Sequence, residues 1–395
     1  MNHTQASGFL IKDPTAFTAL TKIHKKPVVD CCFSPESDQI LTASEDSYVV
    51  LWNLPPSDTE LHDDTINDEH KLVCYRLSDH KTPVTSVAMH RRIFISASKD
   101  GQVKVWRLIN DATSSSSATG QLFRQPSPEP STYTCHQRVI ESVCLSPDGR
   151  CFATGSADTI IKIWSTECRN KLLVSLPDGH NNWVKGVRWS KTNDSLLASC
   201  GHDGRVCIWD ARTKVRQPPC VWMQSRKRVQ YNCLDWHPVF EHHIATGATD
   251  SSCVIWDLRN KKQVQVYMEH NESVNSIAFN PGGSLLLSGS SDRTSRIFDV
   301  CEGRNMFTLI SHRAPVTSVC FNASGDLFAT GSDDRTVTVW RRNFDTVSIV
   351  LDEGDEDPAE SFVDMSSEPG SSVPNGIRMH QQPSRSHQYQ YHPEH

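Results

Sequence analysis

No Cys-x-x-Cys pair occurs in the 395 residues, although the chain holds 14 cysteines. That argues against zinc ribbons and thioredoxin-like redox motifs. Several cysteines sit inside strand-like runs, among them Cys144, Cys207, Cys253 and Cys320. They read as small buried hydrophobes in a reducing compartment rather than bridges or metal ligands. No apolar run approaches the roughly 20 residues of a membrane helix. The opening MNHTQASGF lacks the charged-then-apolar order of a secretory signal. A soluble, intracellular, cytoplasmic protein is expected. A phosphate-cradling glycine loop is also missing, since the glycines fall in turns such as Asp148-Gly149 and Asp203-Gly204.

Basic excess is scarce too. The net charge is −6, and residues 345 to 395 carry ten acidic and two basic side chains, a balance of −8. The remainder is therefore only mildly basic, at about +2, and shows no groove-reading motif, which disfavours a nucleic-acid partner.

What the chain has in abundance is repetition. Seven times an Asp is followed six positions later by an aromatic: Asp46 to Trp52, Asp100 to Trp106, Asp158 to Trp164, Asp203 to Trp209, Asp250 to Trp256, Asp292 to Phe298 and Asp334 to Trp340. Each copy reads as a tight turn entering a strand with apolar residues on alternate positions, as in VKVW or IKIW. A repeat with a period of about 42 residues predicts an all-β ring, a seven-bladed β-propeller. TAFTAL, residues 15 to 20, precedes the first repeat and is expected to close the ring as the last blade's fourth strand.

Each unit opens with a His, namely His24, His80, His136, His180, His270 and His312, with Lys227 standing in the fifth. The His-to-Asp separation stays between 20 and 23 residues. A Ser or Thr lies four residues before each turn Asp: Thr42, Ser96, Thr154, Ser199, Thr246, Ser288 and Thr330. A relay from Asp to His to hydroxyl to indole would satisfy four buried polar groups at once. Leaving one unpaired costs about 1–3 kcal/mol. Ser, His and Asp recurring in nearly every unit argues for scaffolding, because a hydrolase triad is one constellation beside an oxyanion hole. No enzyme activity, cofactor or metal is expected.

The predicted organisation is an N-terminal arm (1–14), the propeller (15–345) and an acidic, then His-, Gln- and Ser-rich tail (346–395). The tail has too few apolar residues for a core and is expected to be disordered. Its His380, His387, His392 and His395 match no metal-site spacing. Inserts at about 55–70 and 110–131 stretch two units and are expected to be mobile surface loop, with Ser127-Pro128 a candidate phosphorylation site. The outer strands of those units should lie near Tyr75 and Tyr133.

Binding is then expected on the face built by the His loops and Asp turns. Trp183 sits in one entry loop, and Arg226, Lys227 and Arg228 crowd the next. Lys25, Lys26, Lys81, Lys99, Arg138 and Arg313 supply further cations, so this face reads as a basic patch suited to an acidic polypeptide.

The His–Asp–Trp grammar over residues 15 to 340 resembles the WD-repeat family. Three stretches are more specific: QILTASEDSYVVLWNLPP, LLVSLPDGHNNWVKGVRWS and GRNMFTLISHRAPVTSVCFNASGDLFATGSDDRTVTVWRRNFD. They look like the centriolar WD-repeat family of the proteome of centriole protein 1 type. That resemblance implies a scaffold of the cytoskeleton at centrioles and basal bodies, binding microtubules (tubulin) or centriolar proteins and supporting centriole integrity and cilium assembly. The family's C-terminal coiled coil has no counterpart, since residues 346 to 395 lack sustained apolar heptads. An alternative rests on WDAR (Trp209 to Arg212) and WDLR (Trp256 to Arg259), which resemble the Trp-Asp-x-Arg box of substrate receptors for cullin-type ubiquitin ligases.

Overall fold

The computed structural model describes residues 10–11, 16–20, 23–36, 39–54, 74–110, 124–127, 129–212, 221–224 and 229–342. Seven antiparallel sheets follow one another around a ring, each running from an inner to an outer strand. Blade 1 comprises Val28–Phe33, Gln39–Ser44, Val49–Asn53 and Cys74–Leu77. The inner strands of blades 2 to 7 are Val84–His90, Ile140–Leu145, Val184–Trp189, Tyr231–Trp236, Val274–Phe279 and Val316–Phe321. Neighbouring inner strands pack side by side, and blade 7 meets blade 1. No helix occurs among the described residues.

Apolar alternation builds the core between blades rather than within them. Ile40, Val50 and Trp52 of blade 1, for example, pack with Leu327, Ala329 and Val337 of blade 7. Close approach fixes some residue types. A Cβ at Gly155 would fall 2.5 Å from Val187 of the next blade, and one at Gly289 would fall 2.7 Å from Val316.

The ring closes as the sequence predicts. Ala16–Leu20 pairs antiparallel with Val337–Arg341, completing blade 7 from the N-terminus and removing an open edge. The outer strands near Tyr75 and Tyr133 are Cys74–Leu77 and Ser131–Thr134. Two pairings add to this picture, and the second corrects the expected mobile loop. Within the arm, Leu10–Ile11 pairs in parallel with Thr308 and Leu309, adding a fifth strand to blade 6. Within the second insert, Arg124–Pro126 pairs with Leu108, Ile109 and Asn110 at the far end of the nine-residue strand Gln102–Asn110. Ser127 extends that pairing through its N–H to the Arg107 carbonyl at 2.7 Å, so this part of the insert is ordered sheet. The first insert, the remainder of the second and the tail lie outside the described residues, as do Arg226, Lys227 and Arg228.

Candidate functional site

The turn Asp has one role common to all seven blades. Its carboxylate accepts the N–H two residues on, from Tyr48, Gln102, Ile160, Arg205, Ser252, Thr294 and Thr336, at 2.9–3.2 Å. The residue between is left-handed each time, with φ of 69–79°. Glycine fills that position only at Gly101 and Gly204; Ser47, Thr159, Ser251, Arg293 and Arg335 hold it elsewhere. Such backbone is unfavourable for a β-branched or long side chain, and the carboxylate clamp offsets the cost.

The relay beyond the Asp is less uniform than its sequence spacing. Asp, His, hydroxyl and indole are all linked in blades 1, 4 and 7, through His24 and Thr42, His180 and Ser199, and His312 and Thr330. In blade 3 His136 bridges Asp158 at 2.7 Å and Thr154 at 2.8 Å, yet the buried Trp164 indole N–H finds no partner. In blade 6 His270 joins Asp292 and Ser288, and Phe298 stacks on Tyr267 with centroids 4.3 Å apart. Trp256 of blade 5 bonds Thr246 at 2.8 Å.

Blade 2 departs from the expectation outright. His80 reaches Ser96 at 2.7 Å, but its buried Nδ1 has no partner. Asp100 instead takes the Ser98 hydroxyl and the Gln102 N–H. The buried Lys104, ion-paired with Asp79, lies close enough to oppose a second positive charge on the ring. Burial first and the Lys104 ammonium second hold the imidazole down to about 4.

Elsewhere the same network anchors the carboxylates. At Asp46 burial pulls the group up, but the His24 hydrogen bond and the Lys25 N–H outweigh it and hold the group down to about 2. Asp158, Asp203, Asp292 and Asp334 are depressed by the same balance. Asp158→Ala should therefore cost about 1–3 kcal/mol, because it orphans His136 Nδ1 and releases the turn around Thr159. An unchanged melting temperature would remove the Asp from the scaffold.

One face carries the candidate site. Every inner strand shifts register between its first and third residues, a bulge that re-aims the second. Those second residues are Val29, Thr85, Glu141, Lys185, Asn232, Asn275 and Thr317, and all seven line one cavity of about 420 Å³ at the centre of the ring. Glu45, Lys99 and His202, each just before a turn Asp, also line it. Sequence reasoning missed these positions because strict strand alternation hides a bulge; their signal is a polar residue directly after the first residue of six of the seven inner strands, Val29 being the exception.

The mouth is mixed in charge. Lys99, expected as part of a basic patch, pairs with Glu45 at 2.8 Å, and Lys185 pairs with Glu141 at 2.6 Å. Deeper in the channel, the Arg188 guanidinium donates to Ser142 Oγ at 3.1 Å. Lys25, Lys26, Lys81, Arg138 and Arg313 are exposed, but they belong to separate entry loops and so ring the rim rather than form one cluster.

Trp183 is a large exposed aromatic group on this rim, 45% accessible. One indole face stacks on the His202 imidazole, with centroids 6.0 Å apart and planes within 15°. His202 in turn meets Asn232 Oδ1 at 3.3 Å, and burial holds its ring below the usual histidine value. The indole is thus braced from behind by a histidine that itself lines the cavity.

Among the described residues no cluster of three or more His, Cys, Asp or Glu side chains could hold a metal, and no helix is long and apolar enough to cross a membrane. The chain is 30% identical over 191 residues to apoptotic protease-activating factor 1 of Rattus norvegicus, covering 47% of this chain and 12% of that protein. It is 30% identical over 193 residues to pre-mRNA-processing factor 19 homolog 2 of Arabidopsis thaliana, covering 48% and 31%. It is 27% identical over 283 residues to ribosome biogenesis protein YTM1 of Meyerozyma guilliermondii, covering 64% and 53%. The chain thus spans about half or less of each of these three relatives. The model of the WD domain, G-beta repeat, matches residues 17–53, 72–107, 128–165, 170–210, 224–257, 261–299 and 303–341, seven matches each offset by one strand from a blade, and the chain belongs to that family.

Proposed function

We propose that the chain is a non-enzymatic scaffold that receives a protein partner on the channel-mouth face, with Trp183 as its anchor. The observation that carries this reading is the indole held half-exposed against His202, a residue that lines the cavity. Rigid aromatic groups beside a desolvated pocket supply a large share of binding energy in protein interfaces. The finer reading is a cytoplasmic, cytoskeletal component of centrioles and basal bodies that binds microtubules and supports cilium assembly. Its support is the sequence resemblance together with the exposed Lys25, Lys26, Lys81, Arg138 and Arg313 around the same rim, which suit an acidic polypeptide such as the tubulin tail.

Co-sedimentation with microtubules, combined with imaging of the tagged chain against a centriole marker, tests it. Trp183→Ala should weaken microtubule binding at least about tenfold while leaving the melting temperature unchanged. Wild-type protein that stays in the supernatant and spreads diffusely would discard the centriolar reading.

The ligase-receptor alternative draws on Arg212 and Arg259. Arg212 is held by its own Asp210 at 2.7 and 3.0 Å and stays exposed, and Arg259 is likewise exposed beside Asp257. Recovery of a ligase adaptor by the wild type, lost in Arg212→Ala or Arg259→Ala, would favour it instead.

A further inference from the structure

Blade 7 is completed by Ala16–Leu20 through hydrogen bonds to Val337–Arg341, and the seam between the inner strands of blades 7 and 1 brings the two ends of the propeller sequence side by side. Two thiols meet inside that seam. Cys31, fourth residue of the blade 1 inner strand, and Cys320, fifth residue of the blade 7 inner strand, hold their sulfurs 3.6 Å apart. Ser318 Oγ accepts the Cys31 N–H at 2.9 Å and lies 3.2 Å from its sulfur, which fixes the side chain toward blade 7. When the inner strands are aligned, the corresponding pair at each of the other six seams includes at most one cysteine, as with Val87 and Cys32 or Val187 and Cys144. Two facing thiols thus occur at the one seam where a bond would close the ring.

We propose that Cys31 and Cys320 form an oxidation site at which a peroxide converts the two thiols to a cystine, joining blade 7 to blade 1. Cys320 is the entry point, because the residue keeps partial exposure whereas Cys31 is buried, although the Cys320 thiol itself is largely desolvated. The Cys320 thiolate attacks a peroxide oxygen and the O–O bond breaks, leaving a sulfenic acid and, with hydrogen peroxide, one water. Cys31 sulfur then displaces the second water. The thiols together lose two protons and two electrons, and the peroxide is reduced to two waters. The Cys31 contact and burial hold the Cys320 thiol well above the usual range, so the reaction should be slow at neutral pH and quicken in alkali. The product is a loop that spans nearly the whole propeller, and cross-links closing long loops stabilise by restricting the unfolded chain.

The test uses the full chain treated with hydrogen peroxide, quenched with a thiol-alkylating reagent and mapped by peptide mass. The expected result is a linked Cys31–Cys320 peptide lighter by two hydrogens and a raised melting temperature, both reversed by a dithiol reductant. Cys320→Ser and Cys31→Ser should abolish the linkage, and Cys32→Ser should keep it. If Cys31→Ser fails to fold, Cys320→Ala decides alone. Folded protein in which the exposed Cys168 and Cys301 are oxidised but no such peptide forms would overturn the proposal. So would a bridge from Cys320 to Cys32.

Discussion

Asp30→Ala is expected to destabilise the propeller by about 3–5 kcal/mol, more than the loss of any single turn Asp. The reason is a belt of hydrogen bonds around the channel wall. The third residue of an inner strand offers a side-chain acceptor to the fourth residue's N–H on the next blade. Ser318 serves Cys31, Asp30 serves Val87, Ser86 serves Val143, Ser142 serves Val187, Cys233 serves Ile277 and Ser276 serves Val319. Gly186 alone has no side chain to offer, although a Cβ there would sit 3.5 Å from the Leu234 nitrogen.

Most links in this belt are single, but Asp30 gathers four donors. Oδ1 takes the Cys31 N–H at 2.9 Å and the Ser318 hydroxyl at 3.2 Å; Oδ2 takes the Ser86 hydroxyl at 2.8 Å and the Val87 N–H at 2.9 Å. Blades 7, 1 and 2 therefore share one acceptor. Alanine would orphan the Val87 N–H and turn two hydroxyl donors loose in a buried wall, each at a cost of about 1–3 kcal/mol. Ser276→Ala removes one acceptor from Val319 and should cost about 1–2 kcal/mol by the same reckoning. Chemical denaturation of both variants checks the comparison. If Asp30→Ala loses no more than Ser276→Ala, the belt is a set of independent bonds and Asp30 is not its hub.

Features that repeat at fixed spacing were legible in the sequence. The seven Asp–aromatic pairs specify the blade count, and TAFTAL specifies how the ring closes, because both are local patterns with a period. The belt was not legible, since Asp30, Ser86, Ser142, Cys233, Ser276 and Ser318 differ in residue type and acquire a common role only when neighbouring blades bring them together. The bulge residues at the cavity mouth escaped for a related reason: one extra residue in each inner strand turns Lys185 and Asn232 into the channel without altering the apolar pattern around them. Spacing also claimed too much. His80 and Asp100 are separated like every other pair, yet a lysine two residues before Trp106 changes what the histidine can bond. Trp183 was visible as an odd residue in a polar loop, whereas the His202 that braces it comes from the following turn.

His80 leads to the second large effect, a pH dependence confined to blade 2. In the fold the imidazole is held down to about 4, whereas an unfolded histidine titrates near 6.5. Between those values the unfolded chain binds a proton that the folded chain refuses. Stability from this group is therefore complete above about pH 6.5 and is lost as pH falls toward about 4, amounting to about 3 kcal/mol over the window. His80→Gln removes the titration, so the wild-type-minus-variant stability difference should fall steadily across that range. Lys104→Met tests the cause. Burial alone would still depress the ring, but without the nearby ammonium its proton affinity should rise, and the pH-dependent loss should shrink without vanishing. The paired carboxylates act in a lower window: Asp46, held down to about 2, gives up its contribution only as pH falls from about 4 toward 2. Denaturant midpoints measured from pH 7 to 4 separate the two. A difference curve for His80→Gln that stays flat over that interval would mean that the buried ring finds a proton-stabilising partner, and that the missing Asp100 bond has no energetic consequence.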